Sequence, residues 1–279
     1  MVVNMIKVDN YSFLKFLEDE SPIRNFYICD NIVNSGKPGY AVKSISFFTV
    51  DGKPSNSYIS FCENVFDEII IEIKTNNQEL IYSALCEIKN ISSRYKKTRF
   101  GSGTYDFFES SIFKKFFKIK KTYFSEYGVF AQLSKSNVPT ISIPDNISID
   151  LVTETEKAPY VNYDDNVWDG LSSLIKYGNA TDKLFVIKEN GVVCGYLMAN
   201  NSYRNIYDIA NLFVLEKYRG KNFGKFLTVT FSNYCYNNNF IPHYGTAVSK
   251  YSEAVAVNSG FEEMYRQHYV DVKVKFSII

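Results

Sequence analysis

The stretch VLEKYRGKNFGKFL, residues 214–227, sets Arg219, Lys221 and Lys225 around two glycines, Gly220 and Gly224. Positive charge beside glycine, between an apolar run and a helix-like pattern, suits a phosphate. Glycine lets the backbone approach closely, and the first amides of a helix point outward without a helical partner. Two common phosphate motifs fail here. A P-loop needs four residues between its glycine and Gly-Lys and then Ser or Thr. Gly220 and Gly224 enclose only three residues, and Phe226 follows Lys225. The dinucleotide fingerprint GxGxxG has a glycine spacing that this pair does not supply. Gly101 and Gly103, in RYKKTRFGSG, make a rival loop ahead of a helix-like stretch. A plain turn between strand and helix is the alternative for both.

Other chemistry is sparse. Histidine occurs twice, as His243 and His268, in no HxxxH or HExxH pattern, so no metal site is expected. The five cysteines, Cys29, Cys62, Cys86, Cys194 and Cys235, are scattered without CxxC spacing. Thiols in a reducing cytoplasm are the expectation. A net charge of +1 gives no general reason to expect nucleic acid or an anionic membrane. No apolar run approaches the roughly 20 residues of a membrane span. The opening MVVNMIKVDNYSF lacks the pattern of a secretory signal.

The elements that must position the loop follow from pattern. A helix is expected over 158–177. KLFVIKENGVVCGYLMA is a hairpin turning at Asn190-Gly191. IYDIANLFVL is a mostly apolar strand, and a helix follows over 223–236 with Phe223, Phe226, Leu227, Thr230 and Phe231 at helical spacing. HYGTAV is a short strand, SKYSEAVAVNSG a helix that Gly260 ends, and FEEMYRQ with YVDVKVKF a last strand pair.

The same order occurs earlier in the chain. FDEIIIEI, residues 66–73, precedes DIANLFVL, residues 208–215, by 142 positions. Gly103-Thr104 precedes Gly245-Thr246, and Tyr123 and Tyr127 precede Tyr265 and Tyr269, by the same interval. The chain therefore reads as two related halves, 1–140 and 145–279, joined by the polar SKSNVPTISIPDNIS. The earlier hairpin turns at Asp51-Gly52, and its helices are NNQELIYSALCEIKN and YDFFESSIFKKFF.

Val214, Tyr218, Arg219, Gly220, Lys221, Asn222, Phe223 and Gly224 resemble the acyl-CoA loop of the GNAT N-acetyltransferase superfamily, commonly written V-x-x-x-Y-R-G-K-G-x-G. Asn222 stands where the family usually has glycine. The closing AVSKYSEAVAVNSGF is similar to the family's last helix, ending in Gly260-Phe261. It carries Ser249 at the usual asparagine and Ala256 where many members have a proton-donating tyrosine.

The resemblance implies an α/β fold of two acetyltransferase-like halves, each a mixed, mostly antiparallel sheet flanked by helices. It implies acetyl-CoA as cosubstrate, and an amine of a small molecule, peptide or protein as acceptor, with direct attack on the thioester. Leu212, Phe213 and Val214 would pair with pantetheine through their backbone. Arg219, Gly220, Lys221, Asn222, Phe223, Gly224 and Lys225 would hold the phosphates. Ser249, Tyr251, His243 and Tyr244 are the candidates for proton transfer, with Asp208 and Asn211 beside them. Shifting Arg219, Gly220 and Gly224 back by 142 lands on Asn77, Gln78 and Tyr82, so the first half is expected to be a degenerate copy without CoA chemistry. A non-catalytic CoA-binding or scaffold protein is the alternative reading.

Overall fold

The structure, a computed structural model, describes residues 5–38, 40–103, 106–152 and 182–274. The expected helix over 158–177 lies outside them. In the earlier part of the chain the elements are β1 (Ile6–Val8), α1 (Asn10–Glu20), α2 (Phe26–Asn34), β2 (Val42–Thr49), β3 (Tyr58–Asn64), β4 (Glu68–Lys74), α3 (Gln78–Ile91), β5 (Lys97–Ser102), α4 (Asp106–Glu109), α5 (Ser111–Phe116) and β6 (Phe117–Ala131). The later part holds β7 (Ile147–Val152), β8 (Lys183–Glu189), β9 (Val192–Tyr203), β10 (Ile206–Val214), α6 (Phe223–Asn237), β11 (Ile241–Ala247), α7 (Lys250–Asn258) and β12 (Glu262–Val274). The fold is mixed α/β, and no helix among the described residues is long and apolar enough to cross a membrane.

The chain forms two compact units, one of residues 1–127 with 265–279 and the other of residues 128–264. The last segment is thus part of the first unit. There, β1 to β5 run in sequence order and β12 pairs antiparallel with β5, while β4 and β5 form the one parallel pair among this unit's described strands. β4 alternates strictly. Ile69, Ile71 and Ile73 are buried, and Glu68, Ile70, Glu72 and Lys74 face the other way half-buried. The buried row packs on Leu80, Ala84, Leu85 and Ile88, which share one face of α3. α3 is capped by Asn77, whose side chain accepts from the Leu80 amide at 2.9 Å.

In the second unit β7, β8, β9 and β10 are antiparallel neighbours, β10 and β11 are parallel, and β11 pairs antiparallel with the end of β6. Asn190 and Gly191 both have positive φ, 49° and 79°, as a two-residue hairpin turn requires. The core joins Phe185, Leu197, Tyr207 and Ile209 to Leu227, Phe231 and Cys235 of α6, with Ala256 of α7 and Phe261 beside them. The five cysteines are thiols, four of them buried.

The elements recur in order across the repeat, with two corrections to the pattern. FEEMYRQ and YVDVKVKF form one continuous strand, β12, and the stretch Tyr123 to Leu133, expected to carry the matching strand pair of the earlier half, instead belongs up to Ala131 to the single strand β6. Neither stretch offers the Asn-Gly or Asp-Gly pair that a tight turn prefers. YDFFESSIFKKFF is divided into α4 and α5 at Ser110, whose side chain caps α5.

Gly260 ends α7 with φ +85°, and a Cβ there would lie 1.8 Å from the carbonyl oxygen of Asn137. Gln132 holds the same corner through a 2.9 Å hydrogen bond from its amide to the Ser259 carbonyl. Gly260→Ala meets both a left-handed backbone and a backbone clash. It should cost at least about 1 kcal/mol, read as a lower urea midpoint with unchanged m-value.

Candidate functional site

β10 and β11 pair for three rungs only, Ile206 with Ile241, Tyr207 with Pro242 and Asp208 with His243. Register shifts then occur on both strands, between Ile209 and Asn211 in β10 and between Tyr244 and Ala247 in β11. Such bulges bend a strand and end pairing. β10 continues to Val214 on β9 alone, so among the described residues one backbone edge of 209–214 has no strand on it. Leu215 donates to the Cys194 carbonyl of β9 at 2.9 Å. Strand alternation therefore turns the peptide groups of Leu212 and Val214 to the open edge and those of Phe213 to β9.

The open edge leads into the glycine-bearing loop. Gly220 has φ +82° and Asn222 φ +64°, both left-handed. A Cβ on Gly220 would meet nothing within 4 Å, so its glycine answers to backbone conformation and leaves the loop surface open. Asn222 keeps the turn that a glycine would make, since asparagine tolerates this region better than most residues. It is the N-cap of α6 but makes no side-chain capping bond. Among the described residues, the amides of Phe223, Gly224 and Lys225 meet no backbone acceptor, and the helical ladder begins with Phe226 donating to the Asn222 carbonyl at 2.9 Å. These amides, at the positive end of the helix dipole, form an anion cradle. The residues present fit the pyrophosphate of an acyl-CoA.

The loop is stiff. Tyr218 and Phe223 stack at 6.0 Å, and the Lys221 ammonium lies over both rings, 5.3 and 6.0 Å from their centres. Lys221 also pairs with Glu189 at 2.9 Å, a partner no motif pointed to. Its charge therefore fixes the loop. Arg219 turns inward, its Nε donating to the Val214 carbonyl at 3.1 Å. Gly224 faces Val255 of α7, where a Cβ would come within 3.2 Å, so this glycine sets how closely α6 and α7 pack.

The proton-transfer candidates fall in different places. His243 is fully buried and its Nδ1 is 2.7 Å from Asp208 Oδ1, on the last rung before the strands part. Tyr244, the next residue, turns to the helices between Phe130 and Phe261, and its hydroxyl lies 2.9 Å from Ser252 Oγ. Burial pushes its phenol above the usual range. Ser252 stands one turn before Ala256 on α7, and the sequence patterns did not single it out. Ser249 caps α7 by accepting from the Ser252 amide, and the Tyr251 ring is 87% exposed. Asn211 donates to the Tyr196 hydroxyl at 3.3 Å.

The corresponding junction of the first unit differs at each point. β4 and β5 pair over six rungs, Glu68–Lys97 to Ile73–Ser102, with no register shift. Residues 75–77 join β4 to α3, whereas residues 215–222 join β10 to α6. The Asn77 amide donates to Thr75 Oγ1 at 3.0 Å and the Leu80 amide to Asn77. The loop thus has no counterpart there at the 142-residue offset. Gly101 is a strand residue against the Tyr269 ring and the Gln267 amide, and α4 beyond it has four residues starting at Asp106. That setting does not make a phosphate loop.

Asn222 supplies a direct check of the loop geometry. Asn222→Gly should fold with unchanged stability, while Asn222→Val should lose about 1–2 kcal/mol, both read by chemical denaturation.

Residues 149–263 match the sequence profile of the acetyltransferase (GNAT) family. No curated protein matches the chain significantly. Among solved structures, a tandem GNAT protein from the clavulanic acid biosynthesis pathway superposes with TM-score 0.59 at 10% identity, covering 98% of this chain and 99% of its own. A GCN5-related N-acetyltransferase from Sphaerobacter thermophilus gives 0.59 at 8% identity, covering 97% and 95%. One from Kribbella flavida gives 0.54 at 10%, covering 93% and 95%. Residues 149–263 thus resemble GNAT acetyltransferases in sequence, and the chain has the fold of solved GNAT proteins, a tandem one among them.

Proposed function

We propose that the second unit binds acetyl-CoA and transfers its acetyl group to an amine. The observation that carries this reading is the open edge of β10 running into the uncapped N-terminus of α6. When bound, acetyl-CoA supplies an acetyl group activated as a thioester. The peptide groups of Leu212 and the amide of Val214 offer the pantetheine arm a strand edge, and Phe213 holds β10 on β9. The amides of the 219–225 stretch receive the pyrophosphate, and Lys225 adds charge at the cradle. Lys221 and Arg219 keep the loop in shape.

Two side-chain pairs serve proton transfer. Tyr244 keeps its proton at neutral pH because it is buried, and with Ser252 it would protonate the leaving thiolate, in place of the tyrosine absent at Ala256. Asp208 orients His243 through Nδ1, which suits the imidazole to receive the amine proton. The first unit, with its paired strands and capped helix, is the degenerate copy in this reading.

Calorimetry with acetyl-CoA tests the binding, and release of CoA thiol over an amine panel tests the transfer. Lys225→Glu should weaken binding by at least about tenfold with unchanged melting temperature. Tyr244→Phe keeps the aromatic packing and should lower kcat by about a hundredfold with little change in KM. No binding by the intact protein refutes the assignment. Binding without turnover on any amine would favour the scaffold reading.

A further inference from the structure

A cavity of about 1200 Å3 opens in the first unit, at the carboxyl ends of β4 and β5, and the described residues that line it belong to that unit. Crevices at the carboxyl ends of parallel strands are favoured places for ligands. This one has its own chemistry. Lys74, the last residue of β4, lines it, and its ammonium meets no carboxylate and no hydrogen-bond acceptor among the described residues. The contacts of that ammonium are the faces of Tyr58 and Tyr265, at 5.7 and 5.3 Å. Glu72 and Glu20 lie near enough to favour its charge but make no ion pair with it: Glu72 accepts from the Tyr269 hydroxyl at 2.8 Å, and Glu20 from Asn56. Burial holds the ammonium below the usual lysine range.

Two further donors in the lining are unmet. Tyr58 is 2% exposed and its hydroxyl has no hydrogen-bond partner. Gln267 is 4% exposed and the same holds for its Nε2, which sits in the space that Gly101 leaves by having no side chain. Buried donors without acceptors are costly, and a desolvated ammonium without a direct carboxylate contact more so. An ammonium, a phenol and an amide N–H call for a group that only accepts and carries negative charge. A carboxylate does both, with two oxygens for several donors. A phosphate dianion suits the site less. Two amides at the start of α3 that could help cradle it, those of Leu80 and Asn77, are already taken by Asn77 Oδ1 and Thr75 Oγ1.

We propose that this cavity is a binding site for a small polar molecule bearing a carboxylate, held at Lys74 between Tyr58 and Tyr265. The site is independent of the acyl-CoA assignment, and acetyl-CoA titration of the same sample reports on that assignment separately.

Calorimetric titration of the full chain with acetate, lactate and glutamate, in chloride at constant ionic strength, tests the proposal. At least one probe should bind saturably with a Kd of about millimolar or tighter. Lys74→Met should weaken that probe by at least about tenfold, and Lys15→Met, at an exposed position of α1, should not. Lys74→Met should melt at or above the wild-type temperature, since it removes a poorly solvated charge. Should it fail to fold, Lys74→Gln serves the same comparison. Absence of saturable binding by all three probes, equal binding to the Lys74 variant, or displacement by inorganic phosphate at equal concentration would overturn the proposal.

Discussion

Asp208 and His243 form the last rung between β10 and β11, and the second unit is organised by what happens beyond it. A parallel pair that continued would leave no free peptide groups. Here bulges on both strands end the pairing, and β10 runs on to Val214 with one side open. An unsatisfied strand edge is ordinarily a liability, since it invites pairing with another chain. In this unit the edge is short, and it ends at a helix whose first amides are also without acceptors. Both features ask for the same kind of occupant, extended and hydrogen-bonding at one end and anionic at the other.

The two units show how little change separates such a site from a closed one. β4 and β5 are long enough to part but stay paired over six rungs. Asn77 and Asn222 are both N-cap asparagines with opposite effects. Asn77 is extended at φ −72° and spends its side chain on the helix amides. Asn222 is left-handed at φ +64° and leaves them open. The longer connection before α6 allows the second conformation, because it gives Tyr218, Lys221 and Phe223 room to stack and brace the turn. The first unit keeps a cavity at the equivalent strand ends, but its walls carry tyrosine and lysine side chains instead of open backbone.

What was legible in the sequence follows the same division between local and long-range causes. The hairpin at Asn190-Gly191, the helices after β4 and β10 and the tolerance of Asn222 for a left-handed turn depend on a few adjacent residues, and pattern reaches them. The mixed fold and the GNAT resemblance of residues 149–263 were legible for the same reason. Membership of 265–279 in the first unit was not, because the register of β12 on β5 joins segments some 170 residues apart. Glu189 and Ser252 acquire their roles only through partners brought by folding, Lys221 and Tyr244. The constant 142-residue offset holds for element order and fails at the loop, where residues 215–222 replace 75–77.

Amide hydrogen exchange with and without acetyl-CoA addresses the open edge and the helix start together. The account predicts slowed exchange at Leu212, Val214 and the 220–225 amides, whose acceptors the ligand would supply. It predicts no change at Ile73, Lys74, Asn77 and Leu80, whose amides lie in β4 or already have acceptors. Slowing confined to 73–80, or equal in both junctions, would contradict it.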